Sequence, residues 1–164
     1  VSYETPQNFK NILGKAAYFL EGMMQLPSIH PYHMTIRGDH GIEVEDDFIF
    51  GMVTNAKSVG GFPIFKKTKM ELNDGVFEGV FVRNPKNPVE LQSVIGAFLT
   101  ESSNDQIVAF RSSSFEIICS DEVSYTLDGE DGGNYKDVKI LNHKAAITYV
   151  QATPPLKKIR KTNK

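Results

Sequence analysis

The sequence predicts a β-rich α+β domain, a two-layer β-sandwich-like arrangement with two flanking helices. Three observations lead there. Most of the chain alternates apolar and polar residues with period two, from Met34-Thr35-Ile36 onward. Two segments, opening at Thr5-Pro6 and Asn87-Pro88, instead repeat apolar residues at helical spacing behind a capping residue and a proline. And 164 residues, 40% hydrophobic and 23% charged, suffice for one domain with a core of its own.

The first helix follows from Thr5 as N-cap and Pro6 at the first helical position, where a missing N–H costs nothing. Phe9, Ile12, Leu13, Ala16, Ala17 and Leu20 form its apolar face, and Gly22 and Pro27 end it. Met34–Arg37 and Ile42–Glu45 read as a hairpin through Gly38-Asp39-His40-Gly41. Asp46-Asp47 is expected to break the chain before a further apolar strand, Phe48–Val53. A glycine- and lysine-rich loop leads to the strand Val76–Val82, and the second helix places Leu91, Val94, Ile95, Phe98 and Leu99 inward. Short strands are then expected over 106–110, 115–119, 123–127, 138–141 and 146–150, before Pro154-Pro155 closes the ordered part.

The expected division is a domain over 1–150 and a basic tail over 151–164. A net charge of −2 gives no global reason to expect nucleic acid as a partner. The single cysteine, Cys119, lies in the apolar run Phe115–Cys119 and reads as a buried strand thiol. No apolar stretch approaches the roughly 20 residues that span a bilayer, and no signal peptide is visible, so a cytoplasmic setting is expected. The chain opens Val1-Ser2-Tyr3 without an initiator methionine, which suits a piece of a longer protein.

Three loops carry residues capable of chemistry. Leu127-Asp128-Gly129-Glu130-Asp131-Gly132-Gly133 crowds three carboxylates and three glycines between two strands. Such carboxylates can take a proton from a hydroxyl or hold Mg²⁺, although Asp-Gly is equally the signal of a plain hairpin turn. Met70–Val76 contains Asn73-Asp74-Gly75, a sharp turn able to aim carbonyls and one carboxylate at a hard cation. Lys57–Pro63 contains Gly60-Gly61 but lacks the Gly-Lys-Ser/Thr and the helix start of a phosphate loop. The four histidines, His30, His33, His40 and His143, show no zinc-ligand spacing, and no Ser/His/Asp ordering suggests a hydrolase.

Together these segments resemble the bacterial diacylglycerol kinase family. Tyr3-Glu4-Thr5-Pro6 with Lys10–Tyr18 is similar to the helix that opens that family's second domain. Asn55 with Val59-Gly60-Gly61-Phe62-Pro63 resembles its central glycine loop, Leu72-Asn73-Asp74-Gly75 its Leu-x-Asp-Gly turn, and Leu127-Asp128-Gly129-Glu130 its Asp-Gly-Glu signature.

The resemblance implies the substrate-side half of an ATP-dependent lipid kinase acting on diacylglycerol or a similar lipid alcohol at a membrane surface. A sphingoid or isoprenoid alcohol is the nearest alternative acceptor, and a non-catalytic β-sandwich binding module the alternative of a different class. It further implies Glu130 as the proton acceptor, with Asp128 orienting the turn or contacting the catalytic ion indirectly. Asp74 would bind a structural Mg²⁺, completed by the backbone carbonyls of Glu71 and Val76; a second Mg²⁺ would arrive with ATP. Expected associations are a nucleotide-binding domain preceding residue 1, to which the basic tail would return, and a homodimer is compatible. The enzyme would be peripheral to the membrane, where Lys66, Lys67 and Lys69 could meet anionic headgroups. The family's Gly-Gly-Asp-Gly-Thr phosphate motif does not occur in these 164 residues. The chain by itself is therefore expected to phosphorylate nothing, and ATP-dependent turnover by residues 1–164 alone would refute that.

Overall fold

The computed structural model describes residues 30–56, 58–59, 62–63, 71–100, 102 and 104–148. The helix expected from Thr5, Lys66, Lys67 and Lys69, and the tail over 151–164 lie outside the described residues.

The hairpin forms as the pattern predicts. β1 (Tyr32–Arg37) pairs antiparallel with β2 (Glu43–Thr54), with Met34 opposite Asp46 and Ile36 opposite Val44. The connection is a short 3-10 turn over Asp39–Gly41. The expected break at Asp46-Asp47 does not occur, and β2 runs through it. Each carboxylate there has a cationic partner that lowers the cost of carrying it on the sheet: Arg83 donates to Asp46 at 2.7 Å and Lys86 to Asp47 at 3.2 Å. His33 Nδ1 lies 3.0 Å from Asp47 as well. The irregularity falls slightly later, as a bulge between Phe48 and Phe50 where β2 pairs with β5 (Phe77–Arg83).

Two short strands, β3 (Ser58–Val59) and β4 (Phe62–Pro63), pair as a separate ribbon, Ser58 with Pro63 and Val59 with Phe62. The second helix, α1 (Pro88–Thr100), starts where Asn87-Pro88 predicts. Asn87 accepts the Glu90 N–H at 2.9 Å while the Glu90 carboxylate accepts the Lys86 N–H at 2.7 Å, so two otherwise unpaired helix-end donors are satisfied together. Val94 and Ala97 are its buried face.

β6 (Ile107–Ser112), β7 (Ser114–Leu127) and β8 (Glu130–Leu141) complete the main sheet, ordered β6-β5-β2-β1-β7-β8. The two strands expected over 115–119 and 123–127 are one: β7 carries a bulge between Ile118 and Val123, opposite the passage from Asp137 to Tyr135 on β8. Lys136 caps that bulge by donating to the Ser120 carbonyl at 3.0 Å. β8 begins well before the expected residue 138. No strand forms over Ala146–Thr148, and the last two residues of that expected strand lie outside the described ones.

The sheet is rolled, and this is how the sandwich-like packing arises. In a flat sheet β6 and β7 would stand four strand spacings apart, roughly 19 Å. Instead Phe110 on β6 stacks on Phe115 of β7 with ring centroids 5.0 Å apart, and a single residue, Ser113, joins the two strands. Phe81 touches Phe48, Phe110 and Phe115 from the middle of β5. With Met34, Ile36, Ile117 and Cys119 these rings form the core, and the buried thiol agrees with the expectation for Cys119.

Asp39 pins the corner. Its own N–H donates to Ser112 Oγ at 2.7 Å, while its carboxylate accepts the Ser113 N–H at 2.5 Å and the Ser114 hydroxyl at 3.1 Å. The Ser113 amide and the serine hydroxyls hold this carboxyl below its ordinary range.

Closure also requires Gly79. A Cβ there would lie 2.4 Å from Phe115 Cε1 and 2.7 Å from its Cζ, so only a glycine lets β5 pass under that ring. Gly79→Ala is expected to cost about 1–3 kcal/mol through overpacking. Urea unfolding would show a lower midpoint, partly restored by adding Phe115→Leu.

Candidate functional site

Two places gather the residues singled out from the sequence, and they lie at opposite ends of the β7–β8 hairpin. Glu130 opens β8 directly after the closed end. Asp74 precedes β5 beside the open end, where a Cβ on Gly75 would lie 3.1 Å from Lys144, just beyond β8. The described residues do not bring the two together.

The closed end is a two-residue turn. Leu127 pairs with Glu130, and Asp128 and Gly129 connect them with φ of 51° and 95°. Positive φ at both positions is the twist-matched hairpin turn, and Asp-Gly is a favoured pair for it, since aspartate tolerates the left-handed region and glycine pays nothing there. A second irregularity follows at once: the pairing shifts between Tyr125 and Thr126, opposite Gly132. Asp131 is engaged in that bulge, accepting the Gly133 N–H at 2.9 Å. Of the three carboxylates in the loop, Asp128 and Glu130 are thus the two with no side-chain hydrogen bond among the described residues. Both are exposed, as are Leu127 and Tyr135 beside them. Bulges commonly re-aim side chains next to functional sites, and this one sets the face on which Glu130 stands.

The root of this ribbon is firmer. Burial pushes the Tyr125 hydroxyl well above the ordinary phenol range, and the neighbouring Cys119 thiol adds to the effect. Burial raises that thiol too, so Cys119 is a packing group rather than a reactive one.

At the open end Asp74 is held by its own turn. Its Oδ1 accepts the Val76 N–H at 3.1 Å, and its N–H points back to the Glu71 carbonyl at 3.4 Å. Gly75 has φ of 91°. Asp74 Oδ2 forms an ion pair with Arg111 of β6. Arg111 in turn donates from Nε to Oε1 of Glu78 at 3.1 Å. Glu78 is 1% exposed, and its second oxygen, Oε2, is buried with no hydrogen-bond partner among the described residues. Partial burial pushes the Asp74 carboxyl up, but the Val76 amide and Arg111 together outweigh it and hold the carboxyl below its ordinary range. For Glu78 the balance is opposite: burial dominates and raises it, with Arg111 offsetting only part.

Asp74 thus sits in one turn with Glu71 and Val76, tied to the Glu71 carbonyl through its own N–H and to the Val76 N–H through its carboxylate. Arg111 and Glu78 were missed. Their signal was present as charged residues inside otherwise apolar strands, Phe77-Glu78-Gly79-Val80 and Ala109-Phe110-Arg111, on neighbours in one sheet. Glu78 stands opposite Arg111 in the β5–β6 register. The donor set suits a divalent ion. An ionised carboxylate offers about four acceptor positions, and Val76 and Arg111 occupy two of them on Asp74. The remaining donors are hard oxygens. Of the histidines, His33 bridges Glu45 and Asp47, and no group of His, Cys, Asp and Glu side chains placed to hold a metal occurs among the described residues. A shallow polar hollow lined by Glu90, Ser93, Asn104, Asp105 and Gln106 lies between α1 and β6, away from both places.

No family model matches the chain. A diacylglycerol kinase of Bacillus subtilis (strain 168) is 31% identical over 134 residues, which are 81% of this chain and 44% of that protein. The chain is homologous to the bacterial diacylglycerol kinases. Probable lipid kinases YegS from Shigella dysenteriae and Escherichia coli are 25% identical over 130 residues, 79% of this chain and 42% of theirs. The chain thus spans less than half the length of these curated relatives. Two solved structures from Bacillus anthracis str. Sterne share its fold. One, described as a putative diacylglycerol kinase, has a TM-score of 0.56 at 22% identity, covering 85% of this chain and 46% of its own. The other, described as a diacylglycerol kinase, has a TM-score of 0.53 at 22% identity, covering 80% and 44%. No helix among the described residues is long and apolar enough to cross a membrane.

Asp74 also gives a pH test. Its folded-state pKa is lowered, so the stability it contributes is fully present above the ordinary value of 3.8 and is lost as pH falls through the lower folded value. Asp74→Asn should therefore destabilise at neutral pH and progressively less below pH 3.8. Urea unfolding across that range would check it; a penalty unchanged in acid would rule out the ion pair.

Proposed function

We propose that this chain supplies the acceptor side of an ATP-dependent lipid kinase, with Glu130 as general base and diacylglycerol or a similar lipid alcohol as acceptor. The observation that carries the reading is the placement of the matched Leu127-Asp128-Gly129-Glu130 motif. It sits on a two-residue tip, with Glu130 exposed and without a side-chain hydrogen bond among the described residues. Homology to the Bacillus subtilis diacylglycerol kinase over 81% of the chain supports the reaction class.

In this reading the Glu130 carboxylate accepts the proton of the lipid hydroxyl as its oxygen attacks the γ-phosphorus of ATP, and the bond to the ADP oxygen breaks. Little covalent chemistry is asked of the protein, because phosphoryl transfer depends mainly on positioning and charge neutralisation. The left-handed Asp128 fixes where Glu130 emerges, which makes it a positioning residue. Magnesium neutralises phosphate charge when it arrives with the nucleotide. A second Mg²⁺ would be held at the other end by Asp74 with the Glu71 and Val76 carbonyls, where it would stiffen the turn ahead of β5. The protein would act at the membrane surface from the cytoplasmic side.

The test uses a form of the protein provided with an ATP-binding half. Glu130→Gln should lower turnover by about 10²–10⁴-fold, the usual contribution of a general base, while leaving the fold and the KM for ATP unchanged. Unchanged turnover would remove Glu130 from the mechanism and favour a non-catalytic binding module. Activity confined to a sphingoid or isoprenoid alcohol would keep the mechanism and change the acceptor.

A further inference from the structure

The Asp74 turn already contains a cation of its own. Arg111 reaches two carboxylates from one guanidinium: Nε donates to Glu78 Oε1 at 3.1 Å, and Nη2 pairs with Asp74 Oδ2. The Nε–H and the adjacent Nη2–H of arginine form a parallel fork matched to the two oxygens of a single carboxylate. Glu78 receives half of that fork. Its other oxygen, Oε2, lies buried with no partner among the described residues, although a buried carboxylate oxygen left unpaired is costly. The orphaned atom is therefore explained if Arg111 has a second arrangement.

Resting on the reading that a divalent ion binds at Asp74, we infer that Arg111 is a movable counter-cation, handed from Asp74 to Glu78 when the ion arrives. Without an ion, Nη2 neutralises Asp74 and Glu78 keeps one hydrogen bond. With the ion on Asp74, two cations would share one carboxylate, and repulsion favours moving Nη2 away. The nearest arrangement keeps Nε on Glu78 Oε1 and swings Nη2 onto Oε2, completing the fork and satisfying the orphaned oxygen. The strand opposition of Glu78 and Arg111 lets this happen by side-chain rotation, with β5 and β6 left in register. Glu78 is then a positioning residue for ion binding that touches neither ion nor lipid. Ion occupancy would be reported directly into the strand that carries Gly79 and Phe81.

The experiment uses Mn²⁺ with the full chain. Crystals soaked in Mn²⁺ should show an anomalous peak at Asp74, with Arg111 Nη2 on Glu78 Oε2 and off Asp74. In solution, electron paramagnetic resonance of free Mn²⁺ measures affinity for wild type and for Glu78→Gln. That isosteric change replaces one acceptor oxygen by an NH₂ group and so removes the destination. It should weaken Mn²⁺ binding about tenfold, the scale of one charge-assisted hydrogen bond. Mn²⁺ bound with Arg111 still on Asp74, or equal affinity in both proteins, would overturn the handover while leaving the ion site standing. Absence of any Mn²⁺ at Asp74 would overturn both, and the assignment of Glu130 would still be judged separately by its own kinase assay.

Discussion

The passage of the Phe115 ring over Gly79 is the contact on which the rest of this molecule depends. It joins β7 to β5 across the inside of a rolled sheet, and without it Phe110 and Phe115 could not stack. The same rolling lets the single residue Ser113 connect β6 to β7, and Asp39 supplies the hydrogen bonds that this corner would otherwise seek from water. Everything placed by β7, including the tip bearing Glu130, inherits its direction from that corner. The Asp74 turn is tied to the same contact, because it leads into β5, whose third residue is Gly79.

Two kinds of electrostatics serve the two ends of the β7–β8 hairpin. At the tip the carboxylates stand in water, where charge is cheap and a group stays free to meet an incoming hydroxyl. At the Asp74 turn charge is partly buried, so each group is specified by its neighbours and a change in one must be answered by another. The first arrangement suits chemistry on an external molecule. The second suits a coupled response, since moving one charged group there obliges its neighbours to rearrange.

Much of the fold was legible in the sequence, and the reasons are local. The β1–β2 hairpin, β5 and the capped helix α1 each carry periodicity or capping chemistry within a few residues. The errors share one cause, which is that pairing overrides local signals. Asp46-Asp47 looked like a break because two adjacent carboxylates are unfavourable in isolation; Arg83 and Lys86, distant in sequence, make them tolerable. The bulge at Ser120–Glu122 looked like a gap between strands because its polar residues interrupt the alternation, although β8 continues past it. Gly79 drew no notice within its expected strand and is where the Phe115 ring passes closest to β5. At the candidate site, the turns that carry Asp74 and Glu130 were legible from their Asp-Gly pairs. Arg111 and Glu78 were not singled out, because a charge in an apolar strand acquires meaning only when the register sets it opposite its partner.

The strand order carries a consequence for how the chain comes together. β1 lies in the interior of the sheet, between β2, which follows it directly, and β7, whose Cys119 faces Met34 from far later in the chain. During synthesis the first hairpin therefore emerges with one flank open and must wait for β7 before that flank is covered. Pairings of such long sequence separation slow folding and leave apolar strand surface available to wrong partners. The charged row on that hairpin's outer face, Arg37 with Glu43 and later Glu116, lies along this waiting flank. It gives the hairpin a charged face, and its last member, Glu116, joins only when β7 pairs with β1.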